Sequence, residues 1–294
     1  MKVIVPKHSG FCPGVKRAER RLFAEKQKRN REPLAILGDL IHNRRYIEYL
    51  KGKGIGTVQR MEDASKEAVM AIRTHGLDRS VEDRLRERFE VIDLTCSKVK
   101  RLQLRIKDYS EEGYFIVITG KRSHPEVQAH VSYAADSFVV ESREDLESFI
   151  ENSGRVRDGL TEKGYKKIYI VSQTTAPRSL FEETVKAISA RMPYQVESRD
   201  TICACTSQRE SEAVKVQKGV DVTFVVGDRI SSNANRLYET LLAHDERTHF
   251  VQDLEELKNL KLPLSGFKVA QVVSSSSTPE FTETEIVRYL ESIS

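Results

Sequence analysis

An internal pattern occurs three times in this chain, and each copy opens on a cysteine: Cys12, Cys96 and Cys203. A glycine closes an apolar run 26, 24 and 24 residues further on, at Gly38, Gly120 and Gly227. Four residues past each glycine stands a polar side chain: His42 in LGDLIHN, His124 in TGKRSHPE and Ser231 in VGDRISSN. Later in each copy another strand-like run ends in a polar tip, at His75, Thr174 and Ser277. Two cysteines share a lead-in, Asp93-Leu-Thr-Cys96 and Asp200-Thr-Ile-Cys203. Such a chain is constrained to fold as three similar units. Packed about a pseudo-threefold axis, they would bring three thiols and a ring of His, Ser and Thr to one cavity. The pattern therefore points to a metal cluster beside an anion-binding site.

Short apolar runs alternate with charged amphipathic stretches. Residues 2–5, 34–37, 69–72, 89–94, 114–119, 138–140, 168–171, 222–226 and 267–273 read as strands, and 15–27, 102–111, 182–191, 210–218 and 235–243 as helices. Alternation at this spacing predicts βαβ units and mostly parallel sheets. The expected fold is α/β, with modules at 1–96, 97–200 and 201–294. The longer middle copy has room for a polar surface excursion at 152–167.

Bulk properties exclude several classes. The chain carries 48 Lys+Arg against 44 Asp+Glu, a net charge of +4 with no basic block, so neither DNA nor RNA is an expected partner. The mild positive bias at most assists the approach of an anionic substrate. The opening MKVIVPKHSGFC has too short an apolar run for a signal peptide, and no stretch approaches a membrane span. A cytoplasmic location follows as an expectation, and in that reducing setting four widely spaced cysteines read as ligands or catalysts rather than disulfides. There is no GxxxxGK[ST] phosphate loop and no GxSxG elbow.

The pattern residues fall just after apolar runs and before helices. Parallel sheets bind ligands at that end of their strands, where helix N-termini favour anions. Ser231-Ser232-Asn233 and 274–278 are hydroxyl-rich turns leading into helices; singly each reads as a helix cap, but they recur in register. A buried free cysteine often merely packs, yet three at equivalent positions are harder to dismiss. Structural zinc wants four ligands, commonly in close pairs such as CxxC. Thiolates also hold iron–sulfur clusters, and three of them leave one iron open. Cys205, whose counterparts are Gly14 and Lys98, reads as a non-ligand. Of the seven histidines, His42, His75 and His124 lie at strand tips, while His8, His130, His244 and His249 show no register. His124-Pro125-Glu126 can be an ordinary helix start, or Glu126 can be a general acid.

The segments GFCPGV, LIHN, THG, DLTC, SHPEV, SQTT, DTIC and SSNANRL, in this order across nearly the whole chain, resemble the 4-hydroxy-3-methylbut-2-enyl diphosphate reductase family. The resemblance implies a trefoil of three α/β modules around a central [4Fe–4S] cluster with three Cys ligands, Cys12, Cys96 and Cys203, and one open iron site. It implies two-electron removal of the allylic hydroxyl of the diphosphate substrate, giving isopentenyl and dimethylallyl diphosphates. By motif, His42, His75, Ser231, Ser232, Asn233 and Ser277 would hold the diphosphate, with His124 nearby. Glu126 would deliver protons and Thr174 would orient the hydroxyl. Reduced ferredoxin or flavodoxin is the implied electron donor. The chain departs from the family at Ser97, usually Pro, at Arg229-Ile230, usually Lys-Asn, and at Ser275-Ser276, usually Gly-Ala. A residue larger than glycine at 275 is expected to crowd the backbone near a diphosphate. Two alternatives are a non-enzymatic iron–sulfur redox sensor on the same fold, which would not need the HPE acid, and a zinc hydrolase using two cysteines, a histidine and Glu126 as base.

Overall fold

A computed structural model of the chain describes residues 1–29, 32–151 and 163–293. The chain divides into two compact units, one formed by Met1–Thr74 with Ala204–Ser294 and the other by His75–Cys203. Most of the expected excursion at 152–167 lies outside the described residues.

In the first unit β10 (Val222–Val226) runs between β11 (Thr248–Val251) and β12 (Val269–Ser274), and β1 (Lys2–Ile4) adds to the far side of β12, all in parallel. The N-terminal strand thus completes the sheet of the C-terminal residues. The same unit contains β2 (Leu34–Leu37), paired in parallel with β3 (Ile55–Val58) and β4 (Val69–Ile72). In the second unit β5 (Val91–Asp93) precedes a sheet in which β6 (Tyr114–Thr119) pairs with β7 (Ser137–Val140) and β8 (Lys167–Ser172), and β8 with β9 (Gln195–Ser198), again in parallel. Successive residues of a strand face opposite sides of its sheet. In β6, Phe115 and Val117 join Phe149 and Ile188 in one core, while Tyr114, Ile116 and Ile118 join Leu102, Ile106 and Val127 in another. A sheet covered on both faces needs strands apolar throughout. That is why β2, β4, β6 and β10 read so plainly as apolar runs and are buried at every position.

The repeat in the sequence is a repeat in hydrogen bonding. β2, β6 and β10 each end one residue before the pattern glycine. Gly38, Gly120 and Gly227 donate to the carbonyls of Val58, Val140 and Val251 at 2.8, 3.0 and 3.1 Å, the last residues of β3, β7 and β11. Each glycine also faces the side chain that follows the second long strand: Arg73, Gln173 and Ser275. At Gly120 (φ +154°) a Cβ would lie 2.7 Å from Gln173 Cβ, and at Gly227 it would lie 2.5 Å from Ala234 Cβ. Close approach, more than backbone freedom, dictates glycine at both places. No helix among the described residues is long and apolar enough to cross a membrane.

Candidate functional site

In the second unit the shared lead-in of two cysteines is a local turn. Asp93 Oδ1 accepts from Thr95 N at 2.9 Å, and Asp200 Oδ1 from Ile202 N at 3.0 Å. Each aspartate bends the chain two residues on and delivers the cysteine to the start of a helix. Cys96 is the N-cap of α4 (Ser97–Glu111), its carbonyl accepting from Lys100 N at 2.9 Å, and Cys203 immediately precedes the helix Ala204–Gln217. From the first turn of α4, Lys98 Nζ reaches to 3.4 Å from Cys203 Sγ. Cys203 N in turn donates to Thr174 O at 2.8 Å.

His124 caps α5 (Pro125–Val131): its Nδ1 accepts from Glu126 N at 3.1 Å. That bond assigns Nδ1 as the acceptor, so the ring carries its proton on Nε2. The His75 ring meets His124 edge-on, with centroids 5.3 Å apart. Glu126 is 2% exposed. Its Oε1 accepts from Thr174 N at 2.7 Å and its Oε2 from Thr174 Oγ1 at 2.6 Å. His130 Nε2 lies 3.4 Å from the same Oε1. Burial pushes the carboxyl's pKa up, but His130, His124 and the Thr174 hydroxyl outweigh it and hold Glu126 below its ordinary range. The resting side chain is a carboxylate.

In the first unit, Ser231 caps the helix Ser232–Leu242, its Oγ accepting from Ala234 N at 3.3 Å. Ser277 Oγ donates to Ser231 Oγ at 2.9 Å, and Asn233 Oδ1 accepts from Ser276 N at 2.8 Å and from Arg209 at 3.3 Å. Ser231, Asn233 and Ser277 are thus tied into one buried polar cluster. Ser275 belongs to it, with Oγ 3.1 Å from Ser277 Oγ and 2.9 Å from Thr278 Oγ1. Its side chain occupies the space that Gly227 leaves open, the Oγ lying 3.2 Å from where a Cβ on that glycine would be. Ser232 is the first residue of the helix. His42 follows β2; burial first and Arg73 second lower its pKa against Asp39 and Asp228, which favours the neutral ring. Cys12 is the N-cap of α1 (Pro13–Lys28), with Pro13 at its first position.

None of the four cysteines is in a disulfide. Cys12, Cys96 and Cys203 each stand directly before a helix, at the positive end of its dipole, where anionic groups are stabilised. Neither Cys12 nor Cys96 spends its side chain on capping its helix. Soft sulfur donors at helix starts fit a thiolate-bound iron–sulfur group. Cys205 lies inside the first turn of its helix.

The expected residues accordingly fall into two sets. His42, Ser231, Ser232, Asn233, Ser277 and Cys12 lie in the first unit; His75, His124, Glu126, Thr174, Cys96 and Cys203 lie in the second. Sequence reasoning missed two supporting residues. Arg209, buried, donates to His8 O, Gly10 O and Asn233 Oδ1 and so fixes the asparagine; nothing in its local sequence distinguishes it from a surface arginine. His130 lacks repeat register, but its position four residues after Glu126 on a helix was a readable signal.

The family model described as LytB protein matches residues 3–291. Curated 4-hydroxy-3-methylbut-2-enyl diphosphate reductases from Kosmotoga olearia and Citrifermentans bemidjiense are 32% and 34% identical to the chain. The alignments cover 99% and 100% of it and 95% and 98% of those proteins. A solved structure of (E)-4-hydroxy-3-methyl-but-2-enyl diphosphate reductase, the terminal enzyme of the non-mevalonate pathway, superposes with a TM-score of 0.73 at 30% identity over 100% of both chains. The Plasmodium falciparum reductase structure shares the fold at a TM-score of 0.83 and 21% identity, covering 98% of this chain and 87% of that one. With these relatives and its parallel α/β architecture, the chain is an oxidoreductase. The chain belongs to the LytB family of 4-hydroxy-3-methylbut-2-enyl diphosphate reductases.

Proposed function

We propose that this protein converts 4-hydroxy-3-methylbut-2-enyl diphosphate to isopentenyl and dimethylallyl diphosphates, the terminal step of the non-mevalonate route to isoprenoids. The carbon–oxygen bond of the allylic alcohol breaks, two electrons and two protons enter, and water leaves. The observation that carries the reading is the assembly Cys203–Thr174–Glu126, in which a cluster-ligand loop and a buried carboxylate share one threonine through bonds of 2.8, 2.7 and 2.6 Å.

Cys12, Cys96 and Cys203 would hold a [4Fe–4S] cluster, with one iron left open. When bound, the cluster supplies electrons and Lewis acidity. The chain's own groups do the rest. Glu126 delivers a proton to the departing oxygen, and Thr174 Oγ1, hydrogen-bonded to that carboxylate, orients the substrate hydroxyl. The Nε2–H of His124 is a donor for the anionic end of the substrate, alongside His75, His42, Ser231, Ser232, Asn233 and Ser277. Serine hydroxyls and backbone amides at helix starts suit phosphate oxygens. A low-potential ferredoxin or flavodoxin is the donor class that suits this reduction, and the division into modules at 1–96, 97–200 and 201–294 belongs to the same proposal. A redox sensor on this fold has no use for a buried acid held by two threonine donors.

The test is direct. Protein purified without oxygen is expected to be brown, to hold about four irons per chain, and to form both products from the allylic diphosphate with a strong chemical reductant. Iron-loaded protein that consumes none of this substrate would overturn the reading.

A further inference from the structure

His130 is 0% exposed, and neither ring nitrogen has a hydrogen-bond partner among the described residues. An imidazole buried in this way is costly, by roughly 1–3 kcal/mol for each polar group left unsatisfied. A position that only packed would favour an apolar side chain. Its one ionic neighbour among the described residues is Glu126, four residues earlier on α5, with Nε2 3.4 Å from Oε1. That is ion-pair distance, longer than a formed hydrogen bond of about 2.7–3.2 Å. The other groups acting on Glu126 are His124 at the helix N-cap and Thr174 after β8; Lys100, on the α4 helix packed against α5, is engaged by Glu82 at 2.8 Å and Asp93 at 3.3 Å.

Of the two protons the proposed reaction consumes, one joins the departing hydroxide and the other the allyl carbon; only the first is assigned to Glu126. Glu126 rests as a carboxylate, so that proton must come from elsewhere. We infer that His130 is a positioning residue that shares one stored proton with Glu126 and passes it to Oε1 during reduction. The step is balanced: the Nε2–H bond of His130 breaks, an O–H bond forms on Glu126, and the ion pair becomes a neutral pair. That proton then joins the departing hydroxide to make water, while the electrons come from the low-potential donor named above. Shielded from solvent, His130 recovers a proton only through Glu126 between turnovers. This inference rests on the function proposed above, and its test is chosen to separate the two.

His130→Asn keeps a polar donor of similar reach but cannot carry the proton, and His130→Gln is a second variant should the first fold poorly. With His130 gone, burial acts on Glu126 with less opposition, so its carboxyl pKa rises. The acid form then exists only below that raised pKa. Infrared difference spectra of the substrate-free holoenzyme at neutral pH are therefore expected to show the Glu126 carboxylate band of the parent replaced by a protonated carboxyl band, absent again when Glu126→Gln is added. This readout does not depend on turnover. In the assay with chemical reductant, kcat of either variant is expected to stay within about threefold of the parent at pH 6 and to fall at least tenfold at pH 8, with KM nearly unchanged. Parent-like infrared bands, or a pH profile that superimposes on the parent's, would refute the shared proton. So would a loss that is uniform across pH and matched by lost iron, which marks His130 as merely structural. Failure of the parent protein itself to turn over substrate, with the infrared change present, would overturn the assigned reaction and leave the Glu126–His130 pair standing.

Discussion

Glu126→Gln separates the chemistry of the site from its architecture. The carboxylate accepts from Thr174 N at 2.7 Å through Oε1 and from Thr174 Oγ1 at 2.6 Å through Oε2. A glutamine can keep its oxygen toward the backbone N–H and turn its NH₂ toward Oγ1, because a hydroxyl rotates to accept as readily as it donates. Both contacts survive, but they cease to be charge-assisted, a loss of roughly 1–3 kcal/mol in total. Removing a buried charge offsets part of this, since a buried ion carries a desolvation penalty of several kcal/mol. The fold is therefore expected to change by no more than about 1–2 kcal/mol. The catalytic effect is larger. Loss of a positioned general acid slows a reaction by roughly 10²–10⁴-fold, about 2.7–5.4 kcal/mol of barrier at 1.36 kcal/mol per tenfold. Steady-state turnover without oxygen, driven by a strong chemical reductant so that electron supply is not limiting, should show this in kcat. KM should move far less, because the serine, asparagine and histidine side chains proposed to hold the diphosphate are untouched. Thr174→Val should give a milder form of the same defect, by removing the Oγ1 donor while keeping the backbone one. Near-normal kcat in Glu126→Gln would return the residue to an ordinary first-turn helix glutamate.

Replacing Cys12, Cys96 or Cys203 by Ser is expected to strip or cripple the cluster, since an alkoxide is a poorer soft ligand, whereas Cys205→Ser keeps it; iron and sulfide content decide, and a full cluster in Cys96→Ser would break the assignment. Inorganic diphosphate should compete with substrate, and His42→Phe or Asn233→Ala should weaken both by roughly 1–3 kcal/mol each at unchanged iron content. Gly227→Ala places a Cβ 2.5 Å from Ala234 Cβ and 3.2 Å from Ser275 Oγ, so chemical denaturation should show a loss of about 1–3 kcal/mol from overpacking; unchanged stability would mean that this junction yields. His42, with its pKa lowered in the fold, stays neutral where the unfolded chain takes up a proton. Its contribution is thus lost as pH falls below about 6.5, and His42→Phe should flatten the drop in thermal stability between pH 7 and 5.

How much of this was legible in the sequence follows from what each residue faces. Strands covered on both sides announce themselves: 34–37, 69–72, 114–119 and 222–226 fall where the apolar runs place them. β3, β9 and β11 went unread. Each pairs on one side only with the strands described here; β3 and β11 mix buried with partly exposed positions and β9 has no buried position, so no continuous apolar run marks them. The apolar periods begin after the true helix starts for a related reason. The first turns of α1 and α4 and of the helix Ser232–Leu242 are mostly Pro, Gly, Ser, Lys and Asn, with one buried apolar residue each (Val15, Val99 and Ala234), too few to show a helical period. The repeat marks the candidate site residues because equivalent strand ends meet the same backbone geometry, down to the glycine-to-valine bond made three times over. It could not expose what occurs once. Arg209 and His130 have no counterpart in the other copies, and each acts through a residue that does, Asn233 and Glu126. Register therefore finds the candidate ligand-facing groups, while the groups that tune them have to be sought one helical turn behind, as with His130, or on another helix, as with Arg209.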